Sequence, residues 1–171
     1  MDKTKKILRE WVIPFLIEII VVLLLIKYVF FLVRVPTGSM LPTIQEGGWL
    51  FATRIHSVEG VERGDILVFY SDELNMTLIK RCIGLPGDHV VVESNGEVFI
   101  NGTLLEEPYV VYVSHLPGEF WVPEGHYLFF GDNRYGSNDA RLWDEPYIAG
   151  EEITGRAHFT LWPPSNFGFL E

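Results

Sequence analysis

The chain has 171 residues, 48% of them hydrophobic and 14% aromatic, which suits one compact domain and excludes disorder. Thirteen Lys and Arg stand against 23 Asp and Glu, for a net charge of −10, which argues against a nucleic-acid binder, whose affinity comes largely from a basic face. A single cysteine, Cys82, excludes an internal disulfide, and five histidines without an i,i+4 pair or an HExxH argue against a metal site.

Charge and hydropathy divide the chain near residue 34. Residues 1–34 carry six basic and three acidic side chains, and residues 35–171 carry seven and twenty. From Trp11 to Val33, 18 of 23 residues are Val, Ile, Leu or Phe. On insertion scales these contribute about 5 to 11 kcal/mol, against about 5 to 7 for Glu18 and Lys27. The balance favours a transmembrane helix over residues 11–33, after a cytoplasmic tail of residues 1–10. Lys3, Lys5, Lys6 and Arg9 precede the run and Arg34 follows it. The positive-inside rule therefore places residues 34–171 outside the plasma (inner) membrane, on a single-pass anchor. The first alanine is Ala52, so a small-x-small cleavage site is poorly supported and the anchor reads as uncleaved.

Beyond Pro36 the pattern is β. Short apolar runs cover 66–70, 78–83, 90–93, 97–100, 127–130 and 158–162, and no sustained helical period appears. Ser94-Asn95-Gly96 and Asn101-Gly102 mark tight turns inside a small hairpin insertion at about 89–126. The expected fold is mainly β, a twisted antiparallel sheet behind one N-terminal helix.

Three segments are candidates for chemistry. In Pro36-Thr37-Gly38-Ser39-Met40-Leu41-Pro42-Thr43, glycine frees the backbone before a serine and two prolines stiffen the flanks. Thr37 lies two residues before Ser39, where its hydroxyl and the Ser39 N–H can converge on one oxyanion. Taken alone, these residues fit an ordinary turn as well. A serine nucleophile needs a base, and GxSxG is absent. Lys80 is the one lysine after residue 34, and it stands in the apolar run Thr77–Ile83. As a base near neutral pH its pKa would have to fall from about 10.4 to about 7 or 8, which burial can achieve. A sheet-edge lysine that discourages aggregation is the alternative. The third segment, Gly131 to Arg141, is a dense polar loop after an apolar run. In it, Ser137 is a candidate to orient the Lys80 amine and Asp139 with Arg141 to brace the loop, with a solvated polar turn as the alternative. Arg81 is expected to join that ion pair.

Five blocks together carry a resemblance: GSMLPT (38–43), RGDILVF (63–69), KRCIGLPGD (80–88), GDNRYGSNDAR (131–141) and GRA (155–157). In this order behind one anchor, they resemble the bacterial type I signal peptidases, membrane-bound Ser-Lys endopeptidases whose fold is shared with self-cleaving repressors. The resemblance implies Ser39 as nucleophile, Lys80 as general base, Thr37 and the Ser39 N–H as oxyanion hole, and Ser137 as the residue holding Lys80. It implies structural ion-pair roles for Arg81, Asp132, Asp139 and Arg141. It further implies secretory preproteins as substrates, small residues before the scissile bond, contact with membrane lipid, proximity to the export machinery, and no cofactor or metal. Ala140 and Gly136 depart from the family's more usual Ser and Asn. The 42 residues between Asp88 and Gly131 leave no room for a large inserted cap. Phe30, Phe31, Met40, Leu41 and Trp49 are expected to form an apolar surface at the lipid interface.

Overall fold

The computed structural model describes residues 8–170. By compactness these divide into an N-terminal unit, up to residue 31, and a β unit, from residue 32 onward.

The N-terminal unit is helical from Leu8 to Tyr28. A π-helical turn, Leu8–Val12, runs into α1, Ile13–Tyr28. Pro14 sits in the first turn of α1, where a missing N–H costs no internal hydrogen bond. The helix is apolar on all sides and none of its side chains is buried. A buried core helix would show the opposite. Its 21 residues span about 32 Å, enough to cross a hydrocarbon layer of about 30 Å.

The helix ends five residues before the expected boundary at Val33. Residues Phe30–Arg34 form β1 instead. Hydropathy alone cannot tell the two apart, but Val29-Phe30-Phe31-Leu32-Val33 is rich in the β-branched and aromatic residues that suit a strand.

Eleven further strands follow. They are β2 (Trp49–Arg54), β3 (Ile66–Ser71), β4 (Met76–Gly84), β5 (His89–Val92), β6 (Val98–Ile100), β7 (Thr103–Leu104), β8 (Gly118–Trp121), β9 (His126–Phe130), β10 (Tyr147–Ala149), β11 (Ile153–Trp162) and β12 (Gly168–Phe169). The main sheet runs β1-β2-β11-β3-β4-β9-β10, with β12 added to β11. β11 pairs with both β2 and β3 and is broken by register shifts on each side. Such shifts bend a strand and coil its sheet.

The smaller sheet, β7-β6-β5-β8, lies between residues 89 and 121. Its β6–β7 turn places Asn101 at φ 51° and Gly102 at φ 81°, the double left-handed conformation for which Asn-Gly is suited. Alternation turns Val90 and Val92 inward while His89 and Val91 stay at the rim. The inner faces of both sheets share one core. Phe69 stacks on Phe129 at 4.2 Å, and Phe120 of the small sheet meets Phe130 edge-on at 5.9 Å.

Met40 is fully buried, so it is no part of an exposed apolar surface. Its place in that expectation came from hydropathy, and packing beneath the Ser39 turn overrides it.

Candidate active site

Two segments and one strand build the site. Residues 36–45 form a compact turn, closed by Leu41 N–H donating to Gly38 O (3.2 Å) and Ile44 N–H to Met40 O (2.9 Å). The turn is nailed down by two side chains beneath it, Met40 and Ile44, neither of them exposed. Ser39 is left 8% exposed at its surface. The Thr37 hydroxyl donates to Ser39 Oγ at 3.3 Å.

The loop after β9 grips this turn from the other side. Asn133 N–H donates to Ser39 O (3.1 Å) and Asn133 Nδ2 to Gly38 O (3.0 Å), while the Thr43 hydroxyl donates to Asp132 Oδ2. Neither Asn133 nor Thr43 carried a role in the sequence reading. Both stood inside the matching blocks, but which polar loop residues reach across is decided only by the fold. Gly131 makes the approach possible, because a Cβ there would lie 2.3 Å from Ser137 Oγ and 2.4 Å from Ser39 O. Gly131→Ala is expected to destabilise the protein by about 1–3 kcal/mol. A thermal melt indistinguishable from wild type would contradict that packing.

Lys80 comes from the middle of β4, opposite Leu67 of β3, and is 3% exposed. Its Nζ donates to Ser137 Oγ at 3.1 Å. Burial lowers its pKa to about 8, against the pull of Asp139 and, more weakly, Asp132. Arg141 lowers it further. An amine poised there holds an appreciable neutral fraction near pH 7, as a proton acceptor must.

The carboxylates around the amine are each claimed by an arginine. Arg81 grips Asp132 through Nε–Oδ1 (2.9 Å) and Nη2–Oδ2 (2.7 Å) and donates from Nη1 to Gly64 O (2.8 Å). Arg141 grips Asp139 through Nε–Oδ1 and Nη2–Oδ2, both 2.8 Å. The expectation that Arg81 joins the Asp139–Arg141 pair is thus corrected. Arg81 points to the opposite face of β4 from Lys80, and the carboxylate on that side is Asp132. Burial on its own would raise the Asp139 carboxyl, but Arg141 and the Gly131 N–H (2.9 Å) outweigh it and hold it below the usual carboxylate range.

Serine and lysine therefore reach one loop from two directions. Ser39 is held through its carbonyl by Asn133, and Lys80 through its amine by Ser137. The Ser39 hydroxyl is bonded to Thr37, and no hydrogen bond joins it directly to Lys80 Nζ among the described residues.

The family described as "Signal peptidase, peptidase S26" matches residues 8–162, nearly the whole chain. The chain belongs to this family. A probable signal peptidase I-2 of Synechocystis sp. is 38% identical over 80% of this chain, which covers 65% of that protein. A signal peptidase IB of Staphylococcus aureus is 30% identical, with 96% of this chain and 95% of that one aligned. The crystal structure of a signal peptidase I from Enterococcus faecalis superposes with a TM-score of 0.50 at 30% identity, over 58% of this chain and 98% of that one. The β architecture is thus that of a signal peptidase I, and the apolar helix before it marks a membrane-anchored member.

Proposed function

We propose that this chain is a membrane-bound serine endopeptidase that removes N-terminal signal peptides from exported preproteins. Ser39 is the nucleophile and Lys80 the general base. The observation that carries this reading is the buried Lys80 amine, hydrogen-bonded to Ser137 with its pKa lowered to about 8, in a site whose loop also holds the Ser39 backbone.

The Ser39 hydroxyl turns from Thr37 towards Lys80, since catalytic hydrogen bonds tighten once substrate is in place. Lys80 accepts the proton as Ser39 Oγ attacks the scissile carbonyl. The Ser39 N–H and the freed Thr37 hydroxyl then donate to the oxyanion, each contributing about 3–4 kcal/mol. Lys80 returns the proton to the leaving amine, and water hydrolyses the acyl-enzyme. Asp132 and Asp139 neither give nor take a proton in this scheme, because each is neutralised by its arginine. Small residues before the scissile bond are preferred, and the substrate lies extended with main-chain hydrogen bonds to the enzyme.

The anchor belongs to the same reading. The N-terminus is cytoplasmic, the chain from residue 34 onward lies outside the plasma membrane, and substrates still held in the lipid meet the site at high local concentration.

The test is cleavage of a purified preprotein by the full chain in lipid vesicles, with the new N-terminus identified by mass spectrometry. Wild type should cut once, after a small residue, and Ser39→Ala should leave the precursor intact. The acid limb of kcat/KM should rise through an apparent pKa near 8, because protonated Lys80 accepts no proton. Full activity at pH 4, or wild-type cleavage by Ser39→Ala, overturns the proposal.

A further inference from the structure

The segment joining β7 to β8 does more than link two strands of the small sheet. It crosses to the catalytic loop and is fastened at both ends. Leu105 N–H donates to Val98 O in β6 (2.8 Å), and Tyr135 N–H of the loop donates to Tyr112 O (3.0 Å). Between these points the chain lays Tyr109 flat against Arg81, with the guanidinium carbon 3.8 Å from the ring centroid. Arg81 is the residue after Lys80 in β4, and 2% of it is exposed.

Tyr109 is itself held in place. Its hydroxyl donates to Glu107 Oε1 at 2.8 Å, and Glu107 takes both Nη atoms of Arg134, with Nη1–Oε2 at 3.0 Å. Arg134 Nε in turn donates to Gly131 O at 3.0 Å. The strap thus clamps the site twice, through Arg81 next to the base and through Arg134 on the loop that carries Ser137.

We propose that Tyr109 is a positioning residue for Lys80, acting through Arg81 by keeping that guanidinium on Asp132. The inference rests on Lys80 acting as the base.

The charge balance gives the direction of the effect. The groups acting on the Lys80 amine are Asp132, Asp139 and Arg141 from the loop, with the Ser137 hydroxyl in direct contact. Asp132 is balanced by Arg81, and Asp139 by Arg141. Without the ring, the Arg81 guanidinium loses the face that covers it, and water gains a route to it. Asp132 then sheds part of its partner while remaining near Lys80. An under-balanced carboxylate near the amine favours its ammonium form. Arg134 and Glu107 stay paired in either case.

The experiment compares Tyr109→Leu, which keeps bulk but no aromatic face, with Tyr109→Phe, which keeps the face and loses the hydroxyl. Cleavage is measured from pH 6 to 10, with kcat expressed per folded molecule. In Tyr109→Leu the acid limb should move up by about one pH unit, with kcat at pH 7 down about tenfold and KM unchanged. Tyr109→Phe should keep the wild-type limb. If Tyr109→Leu does not fold, Tyr109→Met makes the same comparison. A residue of merely structural importance would lower the folded fraction and leave the limb where it is. An unmoved limb in the aliphatic variant, or an equal shift in Tyr109→Phe, overturns the inference while the Ser39–Lys80 reading stands. Wild-type cleavage by Lys80→Met would instead overturn that reading, and the inference with it.

Discussion

Replacing Lys80 with methionine should abolish cleavage and, at the same time, make the protein more stable. The loss of activity follows from the proposed role of Lys80 as base and should reach about a thousandfold or more. The gain in stability follows from the same depressed pKa. An amine whose pKa falls from 10.5 to about 8 on folding is more easily protonated in the unfolded chain. Between pH 8 and 10.5 the unfolded state binds the extra proton, so stability rises with pH across that window. Below pH 8 both states are protonated, and the cost of burying the ammonium is felt in full. It amounts to about 3 kcal/mol, because one pKa unit is worth about 1.4 kcal/mol. Methionine removes that cost, fills similar volume, and gives up the hydrogen bond to Ser137, worth about 1–2 kcal/mol. The net effect at pH 7 is about 1–2 kcal/mol of added stability, seen as a Tm several degrees above wild type. Unchanged cleavage would defeat the catalytic assignment. A fall in Tm at pH 7 would show that the buried amine is not under strain.

Such a trade-off marks residues kept for function, and it bears on what the sequence could disclose. Ser39, Lys80 and Ser137 stood out as candidates because each sits in a segment whose local chemistry is odd: a serine after glycine between prolines, a lone lysine in an apolar strand, a polar loop after an apolar run; their roles came from the family resemblance. The turns at Gly96 and Asn101-Gly102 were legible for the same local reason, since left-handed backbone selects glycine and asparagine. The rest depends on contacts between distant segments. Arg81 and Asp132 are 51 residues apart, and alternation along a strand gives the face of an arginine without naming its carboxylate. The strap was hidden more deeply. Glu107 and Tyr109 fall outside every apolar run of the sequence, and their partners lie in a strand and a loop that the fold alone brings within reach. The helix end was misplaced because hydropathy runs on unbroken from Tyr28 to Val33, whereas the backbone changes from helix to strand within it.

Asp132→Ala should be the most damaging single change to stability outside the hydrophobic core. Asp132 is fully buried and its Arg81 partner nearly so, with two hydrogen bonds between them. Removing the carboxylate strands a guanidinium away from water, at a cost of about 3–5 kcal/mol. The Thr43 hydroxyl loses its acceptor as well, so the Ser39 turn loosens at one of its three ties to the loop. Activity per folded molecule should therefore fall along with Tm. Glu119 is the internal control. Its ion pair with His89 has a carboxylate 62% exposed, and Glu119→Ala should change stability by less than about 1 kcal/mol. The double variant Arg81→Met/Asp132→Leu separates the two roles of the buried pair. Replacing both charges by apolar groups leaves nothing stranded, so most of the lost stability should return. Activity should not return with it, since the tie to Thr43 and the seat of Tyr109 are both gone. A double variant that regains wild-type cleavage together with wild-type Tm would show the Arg81–Asp132 pair to be dispensable for holding Ser39 and Lys80 in register.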